Sequence, residues 1–231
     1  MNSKKIKPQF VKKINPRVGL IVLATDVMIE KDFLKVFNEI SADLYVNRIT
    51  NYNPVTTENL KRMTSQITSV TENILPGEKV DCIVYGCTSG TIASGYDNIK
   101  KRINVAKPDA SVTAPSTAAL SALKKKNIKK ISIVTPYIKS VNDDVVNFFK
   151  NNNFEITSNT YFDIKSDVDI GKVDQNQLFK ILSNIDHKNA EALFVSCTSL
   201  PVLNIIEKLE KKLGMIVLSS NQALIWQTLE S

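Results

Sequence analysis

The sequence has 231 residues, 43% hydrophobic and 23% charged, with 7 Gly and 3 Cys, which is apolar material enough for one large or two ~100-residue domains. These proportions exclude a disordered chain, a collagen-like fibre and a disulfide scaffold, and no apolar run approaches the ~18 residues of a membrane span. The net charge of +7 sits mostly in short Lys runs such as Lys124-Lys125-Lys126 and Lys211-Lys212, near helix ends where cations suit the dipole, so neither nucleic acid nor a membrane is expected as a partner.

Residues 1–16 form a Lys/Pro/Asn tail without the apolar stretch of a signal peptide, so a cytoplasmic protein with reduced thiols is expected. Unalternating apolar runs then predict strands at 18–24, 44–46, 80–85, 111–114, 131–135, 154–157, 192–196 and 215–219. Helices are predicted between them at 30–40, 57–74, 90–102, 117–125, 141–151, 175–185, 200–213 and 223–229. Continuous apolar strands alternating with helices define an α/β chain built on parallel, doubly wound sheets.

The pattern is written twice. Ile83-Val84-Tyr85-Gly86-Cys87-Thr88-Ser89 matches Leu193-Phe194-Val195-Ser196-Cys197-Thr198-Ser199 at an offset of 110 residues. Leu20 to Asp26 lies over Ile131 to Tyr137 at an offset of 111, and Thr117-Ala118-Ala119-Leu120 over Asn221-Gln222-Ala223-Leu224 at 104. Three collinear matches predict two similar flavodoxin-like lobes related by a pseudo-twofold axis. In open α/β sheets ligands bind beyond the carboxyl ends of the strands, so both Cys-Thr-Ser turns are expected to face one cleft between the lobes.

The available chemistry is narrow. His187 is the one histidine, in a polar connector that reads as solvated surface, and no CxxC, HExxH or HxxxH spacing offers a metal site. GxGxxG and GxxxxGK[ST] are both absent, so no nucleotide cofactor is expected. Each Cys-Thr-Ser is predicted to close a strand and open a helix, which turns backbone N–H groups and the hydroxyls of Thr88, Ser89, Thr198 and Ser199 toward a carboxylate. A helix N-terminus also eases ionisation of a thiol. One thiolate and one thiol on opposite faces of a carbon can then invert it without a cofactor. Cys82, inside a strand, reads as core, as do Trp226 and the Phe residues. Tyr137 is either a packing aromatic or a phenol donor to a substrate, and Asp26 either caps the next helix or orients a ligand.

Gly19-Leu20-Ile21-Val22-Leu23-Ala24-Thr25-Asp26, Asn53-Pro54-Val55-Thr56-Thr57-Glu58-Asn59-Leu60, Tyr85-Gly86-Cys87-Thr88-Ser89-Gly90, Val134-Thr135-Pro136-Tyr137, Phe194-Val195-Ser196-Cys197-Thr198 and Ser219-Ser220-Asn221-Gln222-Ala223 resemble the aspartate/glutamate racemase superfamily. That superfamily includes maleate cis–trans isomerases and arylmalonate decarboxylases, and the motifs look most like the ectoine-utilisation protein A (EutA) branch. The resemblance implies a first lobe of residues 1–116 plus 217–231, a second of 117–216, a homodimer, and a cofactor-independent racemase or isomerase of a small carboxylate, with ectoine or hydroxyectoine catabolism as its setting. It assigns catalysis to Cys87 and Cys197, carboxylate binding to Thr88, Ser89, Tyr137 and Thr198, and the substrate edge to Asp26. The amino-acid racemases carry Cys-Asn-Thr and Cys-Thr-His where this chain has Cys-Thr-Ser twice, the decarboxylases keep only the second cysteine, and maleate isomerases have Asn where Asp26 stands. Maleate isomerisation through a cysteine nucleophile is the alternative reaction, and a small-molecule binding protein without catalysis the alternative class.

Overall fold

The inner strands form where apolar residues run without alternation, because both faces of the sheet are covered there, whereas the outer strands β2 (Asp43–Ile49) and β6 (Glu155–Tyr161) are more polar and partly exposed. In the computed structural model, which describes residues 3–10 and 15–231, β1 (Arg17–Leu23) shows the inner pattern directly. Val18, Leu20 and Val22 pack with Phe33, Leu224 and Ile225 on one face, while Ile21 and Leu23 join a larger buried cluster on the other. The first half continues through α1 (Ile29–Phe37), β2 (Asp43–Ile49), α2 (Thr57–Met63), α3 (Ile67–Glu72), β3 (Cys82–Gly86), α4 (Thr88–Ser94), α5 (Tyr96–Ala106), β4 (Ser111–Thr113) and α6 (Pro115–Lys125). The second half is β5 (Lys130–Thr135), α7 (Lys139–Asn151), β6 (Glu155–Tyr161), α8 (Asp167–Ile170), α9 (Gln175–Asn184), β7 (Ala192–Val195), α10 (Ile206–Leu213), β8 (Ile216–Ser219) and α11 (Ser220–Glu230).

The two halves have the same architecture. Each is a four-stranded parallel sheet, ordered β2-β1-β3-β4 and β6-β5-β7-β8. The duplication read from the Cys-Thr-Ser turns is therefore a duplication of topology, and the equivalent helices α6 and α11 pack against each other. Among the described residues no helix is long and apolar enough to cross a membrane. Residues 1, 2 and 11–14 of the basic tail lie outside the described residues.

Several expectations are corrected. The last strand does not return to the first lobe: β8 pairs with β7, from Ala192 opposite Ile216 to Val195 opposite Ser219. Only α11 reaches back, against α1, β3 and β4, where its Leu224 and Ile225 complete the core under β1. The helix predicted over 57–74 is interrupted at residues 64–66, where the hydroxyls of Thr64, Ser65 and Ser69 turn back onto the carbonyls of Lys61, Arg62 and Gln66 and compete with the helical ladder. The helix predicted over 90–102 breaks at Gly95, whose φ of 79° separates α4 from α5.

His187 is buried, at 6% exposure, and not solvated. Its ring nitrogens lie 2.9 Å from the Ser132 hydroxyl and 2.9 Å from the Leu182 carbonyl, which satisfies both and fixes the connector before β7. Trp226 is half-buried, with Lys125 over its ring at 4.9 Å, whereas Phe10 is exposed; an indole gains from a wet edge and a neighbouring cation.

Candidate active site

Cys87 follows β3 directly and caps α4. Its side chain accepts the Gly90 N–H at 3.2 Å, and the Ser89 hydroxyl lies 3.9 Å from the sulfur. Glycine is required at position 90, because a Cβ there would come within 2.8 Å of the Cys87 sulfur and 3.1 Å of the Tyr85 hydroxyl. Thr88 Oγ1 donates to Ser220 Oγ at 2.9 Å, and Ser220 Oγ in turn accepts the Cys197 N–H at 3.0 Å. One hydroxyl at the start of α11 thus ties the two cysteine turns together.

The second turn is built differently from the first. Cys197 has a φ of 103°, a conformation that L residues rarely adopt and that persists only where the surroundings impose it. The chain after it is irregular until a single 3-10 turn at Leu203–Ile205, so the predicted helix over 200–213 starts late. The expected second helix N-terminus is therefore missing. Thr198 Oγ1 reaches across to the Gly86 carbonyl at 3.3 Å, and Ser199 Oγ donates to Asp167 at 2.9 Å.

These turns enclose a small cavity. It is lined by Cys87, Thr88, Ser89, Tyr137, Cys197 and Thr198, with Asn51, Asn59 and Asp167 among the residues closing it. Of the eight residues that the sequence directed to the cleft, six meet at this one cavity; Ser199 does not line it, its hydroxyl being turned to Asp167. Asp26 lies behind it, 1% exposed, where its Oδ1 accepts the N–H groups of Met28 and Ile29 at 2.8 and 3.0 Å and so caps the start of α1. The volume is about 10 Å³, room for a single water. Asn51, Tyr52 and Val55 close one side of the cavity, and this segment is tied to the second half: Val55 N–H donates to the Lys165 carbonyl at 2.9 Å, and the Thr57 hydroxyl to Asp144 at 2.8 Å.

Sequence reasoning missed Asp167, Asn51 and Ser220. Asp167 opens α8 just after β6 and Asn51 lies in the loop after β2, two strands that hold equivalent places in the two sheets, but neither segment falls in the repeated motifs. Thr25 joins them, accepting from Asn51 Nδ2 at 2.6 Å and donating to Asp167 Oδ2 at 2.8 Å.

Burial decides the ionisation of the site. Burial pushes the Cys87 thiol up to about 12, opposed by the Gly90 N–H and reinforced by Asp167. Cys197 is raised well above its ordinary range, again by burial and then by Asp167. Burial therefore opposes the thiolate form of both cysteines and, at Cys87, outweighs the single N–H that helix position supplies. Burial also raises Tyr137 and Asp26, and lifts Asp167 to about 6.

A model of the arylmalonate decarboxylase family matches residues 91–231. The chain belongs to that family. Its relatives include isomerases: the maleate isomerase of Geobacillus stearothermophilus is 24% identical over 230 residues, covering 93% of this chain and 91% of that protein. The fold of this family member is also that of solved relatives. A cysteine-to-serine mutant of the Nocardia farcinica maleate cis–trans isomerase, with a covalently bound succinylcysteine intermediate, superposes with a TM-score of 0.85 at 19% identity, covering 93% of this chain and 91% of that one. A liganded arylmalonate decarboxylase double mutant gives 0.82 at 18% identity, over 93% and 92%. Both cysteines of this chain stand at the ends of equivalent strands, β3 and β7, within that shared fold.

Proposed function

We propose that the protein is a cofactor-independent isomerase of a small carboxylate, with Cys87 and Cys197 acting on one bound substrate. The observation that carries this reading is that both thiols line the same closed cavity, together with the Tyr137, Thr88, Ser89 and Thr198 side chains. Ser89 and Tyr137, joined by Thr88 and Thr198 once their hydroxyls turn from Ser220 and the Gly86 carbonyl, hold the carboxylate, and charge that develops beside it is stabilised by the same donors. The succinylcysteine in the Nocardia relative supports an addition route. One thiolate adds to a carbon–carbon double bond, the π pair moves to the carbon next to the carboxylate, the single bond rotates, and the returning pair expels the thiolate.

The presence of a thiol on each lobe supports a second route, stereochemical inversion. One thiolate removes the proton from the carbon beside the carboxylate, and the other thiol returns a proton to the opposite face. The resemblance to the EutA branch, with a role in ectoine or hydroxyectoine catabolism, belongs with this second route, as does the expectation of a cytoplasmic homodimer. Screening small carboxylates tests both, with fumarate formation from maleate read by absorbance and exchange of the α-hydrogen with deuterated solvent read by NMR. Cys87→Ala and Cys197→Ala are each expected to reduce turnover about 10²–10⁴-fold. Full turnover in both variants refutes the reading.

A further inference from the structure

Ser220 and Asn221, adjacent at the start of α11, hold the Cys197 turn at both ends. Ser220 Oγ accepts the Cys197 N–H at 3.0 Å, and Asn221 Nδ2 donates to the Thr198 carbonyl at 2.8 Å. The same amide nitrogen also donates to Asp32 Oδ2, again at 2.8 Å. Asn221 Oδ1 is buried without a hydrogen-bond partner among the described residues. Reversing the amide would set that oxygen against two acceptors, the Asp32 carboxylate and the Thr198 carbonyl. Asp32 thus fixes which way Asn221 faces.

Asp32 stands on the buried face of α1 beside Ile29, Phe33 and Phe37, at 2% exposure. An apolar residue would fill that place at less cost, because burial disfavours a carboxylate. Asn221, with Lys35 and Lys31 on the same helix, favours the charged form, and Asp26 opposes it. Among the described residues, the bond from Asn221 is the one hydrogen bond that the Asp32 side chain makes.

The first half supplies a contrast. Cys87 has an extended φ of −146°, against 103° at Cys197. At the place equivalent to Asn221 the first half has Thr117, whose hydroxyl turns back to the Ala114 carbonyl before its own helix. The clamp and the strained backbone therefore occur at the same cysteine.

We infer that Asp32 is a positioning residue for Cys197: it orients the Asn221 amide, which with Ser220 holds the turn in the conformation that places the Cys197 thiol on the cavity wall. A positive φ persists only where its surroundings impose it, and here part of the imposing contact comes from α1, in the other half of the molecule. The inference rests on the reading of Cys197 as a thiol that acts on the substrate, and adds a residue that works through another.

The test is the ratio of iodoacetamide labelling at Cys197 to that at Cys87 in the native protein, timed by mass spectrometry, with urea unfolding of each variant as the measure of global stability. Asp32→Leu suits the apolar face of α1 and removes the acceptor, so stability is expected to hold while the ratio rises about tenfold or more as the Cys197 turn opens locally. Asp32→Ala gives the same readout with a smaller side chain. Asn221→Ala is expected to raise the ratio at least as far, and adding Asp32→Leu to it to change the ratio less than about twofold, since Asp32 acts through that amide. Four results overturn the inference: a wild-type ratio in both Asp32 variants, equal acceleration at the two cysteines, an effect of Asp32→Leu that persists undiminished beside Asn221→Ala, or an unchanged kcat in Asp32→Leu on a carboxylate whose turnover Cys197→Ala abolishes. Failure of the isomerase reading appears as unimpaired turnover in the cysteine variants, whereas failure of this inference appears in the labelling ratio.

Discussion

Thr88 Oγ1 donates to Ser220 Oγ at 2.9 Å, although 132 residues separate them. Through the Cys197 N–H that Ser220 also receives, the strained turn of one half is held against the helix start of the other. Ser220→Ala removes the shared acceptor and leaves the Cys197 N–H buried without a partner. A loss of about 1–3 kcal/mol in urea unfolding is expected, with turnover falling more than substrate affinity because the spacing of the sulfurs relaxes. Unchanged stability and unchanged kcat would mean that the bridge positions nothing.

Alkylation of Cys87 reads its burial. With its thiol pushed up to about 12, the native protein is expected to react with iodoacetamide at neutral pH at least a hundredfold more slowly than the urea-unfolded chain. The rate should climb about tenfold per pH unit as the thiolate fraction rises. Thr57→Val, which cuts the bond from the segment beside the cavity to Asp144, is expected to speed the reaction by opening the cleft more often. Mass-spectrometric timing of labelling at Cys87 checks both.

Stability should depend on pH in a direction opposite to that of most surface carboxylates. Burial raises Asp167 and Asp32 each to about 6, above the ~3.9 of an unfolded aspartate, so the native state holds more protons between those values. The stabilisation that these protons provide is complete below about pH 4 and lost as pH rises through about 6. Each carboxyl contributes roughly 2–3 kcal/mol to that slope. Asp167→Asn is expected to flatten the fall in melting temperature between about pH 4.5 and 7, and differential scanning calorimetry at several pH values reads it.

Gly90→Ala places a methyl against the Cys87 sulfur and the Tyr85 hydroxyl. Overpacking costs about 1–3 kcal/mol. Because one neighbour is the proposed catalytic sulfur, activity should fall by a larger factor than stability explains. A variant with wild-type kcat would show that the sulfur tolerates displacement.

The strands, the parallel sheets and the duplication were legible because they depend on local apolar runs and on repeated segments, and both are properties of the linear chain. The six cavity residues were legible for the same reason: Cys87-Thr88-Ser89, Tyr137 and Cys197-Thr198 stand at the ends of strands, where a parallel sheet puts its ligands. Position in a strand could not say that His187 is buried, because its burial depends on Ser132 and Leu182, 55 and 5 residues away. Nor could it foresee that β8 stays with β7 while α11 crosses to α1.

The sequence by itself determined that two equivalent thiols and their hydroxyls would face one cleft. Only the tertiary structure decided their ionisation and their neighbours. Burial is a sum over surroundings drawn from distant parts of the chain, and it outweighs the local N–H at Cys87. Asp167, Asn51 and Ser220 enter the site through loops and a helix start whose meeting depends on how the two lobes close.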